Sequence, residues 1–199
     1  MKDERTTLGQ PFRLDSGLSP AARAELDALG VESGSIERRA PGVGPADGRR
    51  PIPRRAISAP DLLNEAFDYS SSFSRGIRID LPGATMLFLS GTASVDEKGD
   101  TVHEGDFTAQ CLRTYRNLAG LLAAEGASWH DVVKTTCYLR DIERDYAAFN
   151  EIRNMFMKAA GLDPLPASVG VQARLCRSDL LVEIEALAIV PRDSGPGQD

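Results

Sequence analysis

Two carboxylates one residue apart in a β-rich run are the most chemically suggestive feature of this sequence. In Leu181-Val182-Glu183-Ile184-Glu185-Ala186-Leu187-Ala188, strand alternation puts Leu181, Glu183, Glu185 and Leu187 on one face and Val182, Ile184, Ala186 and Ala188 on the other. The carboxyl groups then stand about 7 Å apart between apolar neighbours. If that face is buried, desolvation raises the pKa of at least one of them and makes it a usable acid or base. On an open surface the same residues are an ordinary solvated or salt-bridged pair.

Other reactive groups offer less. Cys111, Cys137 and Cys176 are an odd number without CxxC spacing, read as reduced thiols, and no histidine stands beside Cys137 or Cys176 to ionise them. His103 and His130 lie 27 positions apart with no partner at ligand spacing, so neither a metal nor a cofactor is expected. The net charge of −6 is uneven: residues 1–57 hold 10 of the 23 basic and 8 of the 29 acidic side chains, which leaves −8 on residues 58–199. A domain that acidic repels phosphate backbones, so nucleic acid is not an expected partner. There is no apolar run of about 18 residues and no basic patch followed by an apolar stretch at the amino terminus, so neither a membrane span nor a secretory signal is expected and the protein is expected to be cytoplasmic.

The elements that must position the carboxylates follow from periodicity. Residues 1–57 read as an extension and a Pro/Gly/Arg-rich linker, with a short helix over Ser19 to Gly30; prolines and glycines crowd Ala40 to Pro60. Residues 58–193 read as one domain, and 194–199 as a disordered tail. Phe73 to Asp80 and Ala84 to Gly91 form a strand pair around Leu81-Pro82-Gly83. Asp106 caps a helix carrying Phe107, Cys111, Tyr115, Leu118 and Leu122, stopped at Gly126. Val133 to Leu139 is a strand, and Asp145 begins a second amphipathic helix through Phe149, Ile152 and Phe156 to Gly161. Ala167 to Leu175 and Leu180 to Val190 close the domain as strands. Two strands, helix, strand, helix, two strands describe an α+β sheet with helices on one face. The other face needs a cover, which identical subunits supply economically.

Four segments in this order resemble the RidA/YjgF superfamily: Leu87-Phe88-Leu89-Ser90-Gly91-Thr92-Ala93, Gly126-Ala127-Ser128 leading into Asp131-Val132-Val133-Lys134, Tyr146-Ala147-Ala148-Phe149-Asn150-Glu151, and Val182-Glu183-Ile184-Glu185-Ala186. The resemblance spans Tyr69 to Pro191. It implies a mixed six-stranded sheet with two helices on one face, a homotrimer, and clefts between subunits that bind small carboxylates or reactive enamines.

Residue by residue, the resemblance implies Glu185 as the acidic group that positions water or exchanges a proton. It also implies Tyr69 as an aromatic residue over the cleft, Asn150 as a family asparagine, and Ser90, Gly91 and Thr92 as donors to a substrate carboxylate. The deaminase branch holds that carboxylate with an arginine in Pro-Ala-Arg-Ser. Here Pro166-Ala167-Ser168 places Ala167 at the arginine position, so 2-iminoacid hydrolysis by that clamp is not expected, and Arg177 or Arg174 is the candidate replacement.

The implied activity is hydrolysis or tautomerisation of a small unsaturated carboxylate such as an enamine, imine or enol ether. Two alternatives stand beside it. Ser90-Gly91-Thr92-Ala93-Ser94 and Leu175 to Glu185 also resemble the carboxy-terminal half of chorismatases, although residues 1–57 are too short and polar to supply the upstream half of those enzymes. The other is a ligand- or partner-binding trimer without turnover. An added arm on a modified family member suits specialised metabolism.

Overall fold

The computed structural model describes residues 52–65 and 72–192. The expected helix at 19–30, most of the linker, Tyr69 and the tail lie outside the described residues. Strand β2 (Gly76–Leu81) pairs antiparallel with β3 (Ala84–Ala93) across a turn in which Gly83 adopts φ +75, a left-handed conformation that favours glycine. β2 begins at Gly76 rather than Phe73. There a Cβ would stand 2.8 Å from the Phe88 carbonyl oxygen, so the two backbones meet closely at a residue with no side chain.

Helix α1 (Phe107–Ala123) starts where Asp106 accepts a hydrogen bond from the Ala109 N–H at 2.9 Å, and it buries Cys111, Tyr115, Leu118 and Leu122 as their spacing predicts. A short 3-10 turn (Trp129–Asp131), closed by a capping box from Ser128, leads into β4 (Val132–Leu139). Helix α2 (Ile142–Ala159) begins a turn before Asp145, because Asp141 is the capping carboxylate, accepting from Arg144 N–H at 3.0 Å. Asp145 lies inside the first turn, buried and paired with Arg144. Strand β5 (Ala167–Gln172) stops short of Leu175, which instead packs with Ala93 and Leu180 in a small cluster of its own. Strand β6 (Val182–Pro191) completes the set.

The sixth strand is β1 (Arg54–Ala56), three residues within the proline-rich segment, pairing antiparallel with β2. Pairing and one side chain make a strand of it. The Arg55 guanidinium forks onto Glu125 at 2.8 and 2.6 Å, and Arg78 reaches the same carboxylate at 3.1 Å. The compact unit accordingly begins at Ile52, ahead of residue 58.

The sheet order is β1-β2-β3-β6-β4-β5, antiparallel except for β4 and β5, which are parallel and joined by α2. Both helices contribute to a core with Leu87, Leu89, Leu139, Val182 and Ile184, on one face of the sheet. The result is a mixed six-stranded α+β fold. On the helix-free face, Phe88, Val169, Val171 and Ile189 are each 40–48% exposed. Among the described residues no helix is long and apolar enough to cross a membrane, and no three His, Cys, Asp or Glu side chains gather where a metal ion would bind.

Candidate functional site

β6 runs between β3 and β4, so its outward carboxylates are framed by residues from both neighbours. Glu183 pairs with Ala93 on one side and Tyr138 on the other, while Glu185 stands opposite Thr136. The β3–β6 register shifts between Leu89 and Thr92, and this irregularity brings Gly91 against Glu183. A Cβ on Gly91 would fall 2.0 Å from Glu183 Oε1 and 2.9 Å from its Cδ, so the carboxyl group occupies the space a side chain would need.

The two carboxylates have different surroundings. Burial pushes the Glu183 carboxyl above the usual glutamate range, and the neighbouring Glu185 charge pushes it the same way. Glu185 accepts a hydrogen bond from the Tyr138 hydroxyl. Burial, the Glu185 charge and that hydrogen bond together raise the Tyr138 phenol, with a smaller contribution from Glu183. Two carboxylates, a phenol and a bare glycine thus meet on the helix-free face, one carboxyl disposed to hold a proton and the other hydrogen-bonded. Of these, Glu185 and Gly91 were marked as site residues from the sequence. Alternation placed Glu183 beside Glu185, but Tyr138 enters through the β4–β6 register, which periodicity does not reveal.

The remaining candidates fall elsewhere. The Ser90 hydroxyl donates to the Ser74 carbonyl at 2.7 Å, and its N–H reaches the Arg75 carbonyl at 3.1 Å. Thr92, opposite the core residue Ile184 and 2% exposed, donates to the Ser90 carbonyl at 2.9 Å. Arg177 ties the β5–β6 connection to the loop after β3, donating to Gly99 carbonyl at 2.6 Å and Thr101 Oγ1 at 3.3 Å. Arg140 fixes the same connection through the carbonyls of Leu180 and Arg177. Arg174 is exposed just beyond β5.

Asn150 sits on α2, on the other side of the sheet from the carboxylates. Its Oδ1 accepts from Arg153 Nη2 at 2.6 Å, and Arg153 Nη1 makes a long contact, 3.4 Å, with Ser168 Oγ on β5. Thr135 donates to the same Ser168 hydroxyl at 3.0 Å. Nearby, burial raises the Cys137 thiol, against a lowering by the Ser168 and Thr135 hydroxyls, and burial pushes Cys111 up to about 12. Neither thiol is a nucleophile at neutral pH. A concavity of about 200 Å³ lined by His130, Val132, Val133, Leu162, Pro164 and Pro166 lies at the start of β4 and includes none of these groups.

A sequence model of the family described as endoribonuclease L-PSP matches residues 64–190, which takes in both helices and all of the sheet but β1 and the last residue of β6. The chain belongs to that family. As an endoribonuclease L-PSP family member it is 31% identical over 116 residues to a RutC family protein of Pyrococcus abyssi, covering 58% of this chain and 84% of that one. It is 32% identical over 105 residues to the 3-aminoacrylate deaminase RutC of Acinetobacter baylyi, covering 53% of this chain and 79% of that one. Among solved structures, the YjgF gene product of E. coli aligns with 68% of this chain and 98% of its own at 26% identity and a TM-score of 0.56. Membership of the RidA/YjgF superfamily, expected from four sequence segments, holds. In this endoribonuclease L-PSP family member the two groups of polar residues lie on opposite faces of one sheet.

Proposed function

We propose that this protein is a cofactor-independent enzyme that hydrolyses the enamine or imine of a small carboxylate, with Glu183 as the group that moves the proton. The observation that carries the reading is the Glu183 carboxyl, desolvated against Gly91 and facing Glu185, whose charge favours a bound proton on its neighbour. A carboxyl whose pKa is raised by burial and a neighbouring charge holds its proton to higher pH than an ordinary glutamate and is the better general acid for a carbon base.

The steps balance without another reagent. Glu183 donates its proton to the enamine carbon and the nitrogen lone pair forms the C=N bond of an iminium; return of an N–H proton to the Glu183 carboxylate at this point completes a tautomerisation to the imine. In hydrolysis the carboxylate instead takes a proton from water as its oxygen adds to the C=N carbon. The carbinolamine passes its hydroxyl proton to the nitrogen, expels ammonia and leaves the carbonyl product. Glu185, hydrogen-bonded to Tyr138, is the carboxyl group that faces the iminium as it forms. The activity named for the Acinetobacter baylyi relative concerns an enamine of this kind, a three-carbon amino acrylate.

In this reading the working unit is a homotrimer. Phe88, Val169, Val171 and Ile189 leave apolar surface on the face that carries the carboxylates, and covering it with other copies removes both from water. The excess of acidic side chains over residues 58–199 favours a small ligand over RNA. The test is ammonia release from 3-aminoacrylate generated in the assay. A rate above the spontaneous one supports the reading, and a rate equal to it, for this compound and for 2-iminobutanoate, overturns it.

A further inference from the structure

We infer that Arg153 is the group that receives the substrate's carboxylate, with Asn150 and Ser168 orienting it; the inference rests on the small-carboxylate reading above. Arg153 lies on α2 three residues after Asn150 and four after Phe149, so all three share one side of the helix. Its Nη2 is fixed by Asn150 Oδ1 at 2.6 Å, its Nη1 reaches Ser168 Oγ at 3.4 Å, and its Cζ stands 5.5 Å from the centroid of the Phe149 ring. All these partners are neutral.

That sets Arg153 apart from the arginines that are ion-paired in this domain. Arg55 and Arg78 share Glu125, Arg192 reaches Asp80, and Arg144 holds Asp145. Arg140 and Arg177 are tied to backbone carbonyls. Among the described residues no carboxylate pairs with Arg153, although residues 58–199 carry eight more acidic than basic side chains. A half-buried guanidinium positioned by an amide, a hydroxyl and a ring, with its charge left unneutralised, is suited to take a carboxylate from outside through its remaining N–H donors. β5 beside it is the edge strand of the sheet, paired with β4, so among the described residues no further strand covers the approach.

Arg153 therefore does what the sequence assigned to Arg177 or Arg174. It reaches the Pro166-Ala167-Ser168 segment from a helix, where the sequence itself carries no arginine. Because Glu183 lies on the helix-free face and Arg153 on the helix side, one small molecule meets both only where the β5 edge of one copy adjoins the carboxylate face of another.

The experiment is calorimetric titration of the full-length protein and its Arg153→Gln and Arg153→Lys variants with pyruvate and with pyruvamide, which lacks the charge, beside melting temperatures and KM for 3-aminoacrylate. Wild type binds pyruvate and not pyruvamide. Arg153→Gln weakens pyruvate binding on the order of 10- to 100-fold and raises KM to a similar degree without loss of folding, with Arg153→Lys between the two. Pyruvate binding by Arg153→Gln equal to wild type, or none by wild type, overturns the inference. Turnover with an unchanged KM in Arg153→Gln would sink this assignment and leave the proposed reaction standing. Arg153-dependent pyruvate binding without turnover would do the reverse.

Discussion

The Glu183 carboxyl lies directly over the α-carbon of Gly91, so close that a Cβ there would stand 2.0 Å from Oε1. Two adjacent strands thus share one pocket of space, and it is filled by an acid instead of an apolar side chain. The upward shift of the Glu183 carboxyl accompanies that burial, and a side chain at position 91 would have to move the Glu183 carboxyl aside.

Gly91→Ala is expected to displace Glu183, destabilise the fold by about 1–3 kcal/mol through overpacking, and reduce turnover to near background. Denaturant unfolding of Gly91→Ala, Glu183→Ala and the double variant checks the cause. Relief of the alanine's penalty in the double variant is expected, and strict additivity would place the strain elsewhere.

Stability should depend on pH through the same carboxyl. Its folded pKa lies above the ordinary 4.5, so its contribution is fully present below that value and is lost as pH rises through the folded value, because the buried form must then ionise. Glu183→Gln should accordingly melt close to wild type near pH 4 and increasingly above it as pH rises toward 8. Melting curves that keep a constant offset over that interval would contradict the burial.

The second charged site tests β1. Glu125 has a side chain 2% exposed and two guanidinium partners, of which Arg55 is 56% exposed. Glu125→Ala is expected to cost about 1–2 kcal/mol and Arg55→Ala under about 1 kcal/mol, since Arg78 still satisfies the carboxylate. A chain beginning at Ser58, which loses β1 and Arg55, should unfold at a lower denaturant midpoint than one beginning at Ile52. Equal midpoints for the two would show that β1 contributes nothing.

A charge placed on the helix-free face tests the proposed trimer. If the proposed trimer forms through this face, Ile189→Asp, at a position 40% exposed and four residues from Glu185 on the same face, shifts sedimentation from trimer to monomer and abolishes turnover. A trimer that persists with full activity would remove this face from the interface.

Much of the fold was legible because it depends on local chemistry. The Asp106 cap and the spacing from Phe107 to Leu122 define α1 without reference to anything distant, and alternation alone sorted Val182, Ile184 and Ala186 from Glu183 and Glu185. What escaped depends on partners far away in the chain. Arg54 to Ala56 is a strand only because β2 offers an edge and Glu125 a counter-charge 70 residues on. Asp141 rather than Asp145 caps α2 because its carboxylate accepts from Arg144 N–H while Asp145 pairs with the Arg144 side chain, a choice between two nearby aspartates that spacing does not make. Within the site, Glu183 and Glu185 are indistinguishable in sequence. The β3 register shift that brings Gly91 under Glu183, and the diagonal hydrogen bond by which Tyr138, opposite Glu183 in the β4 register, reaches Glu185, are what separate them.

The most direct measurement is ammonia release from 3-aminoacrylate by wild type, Glu183→Gln and Glu185→Gln side by side, with melting temperatures to establish folding. The account predicts that Glu183→Gln loses on the order of 10²- to 10⁴-fold in rate while remaining folded, and that Glu185→Gln loses less. A folded Glu183→Gln that turns over substrate at the wild-type rate would contradict it.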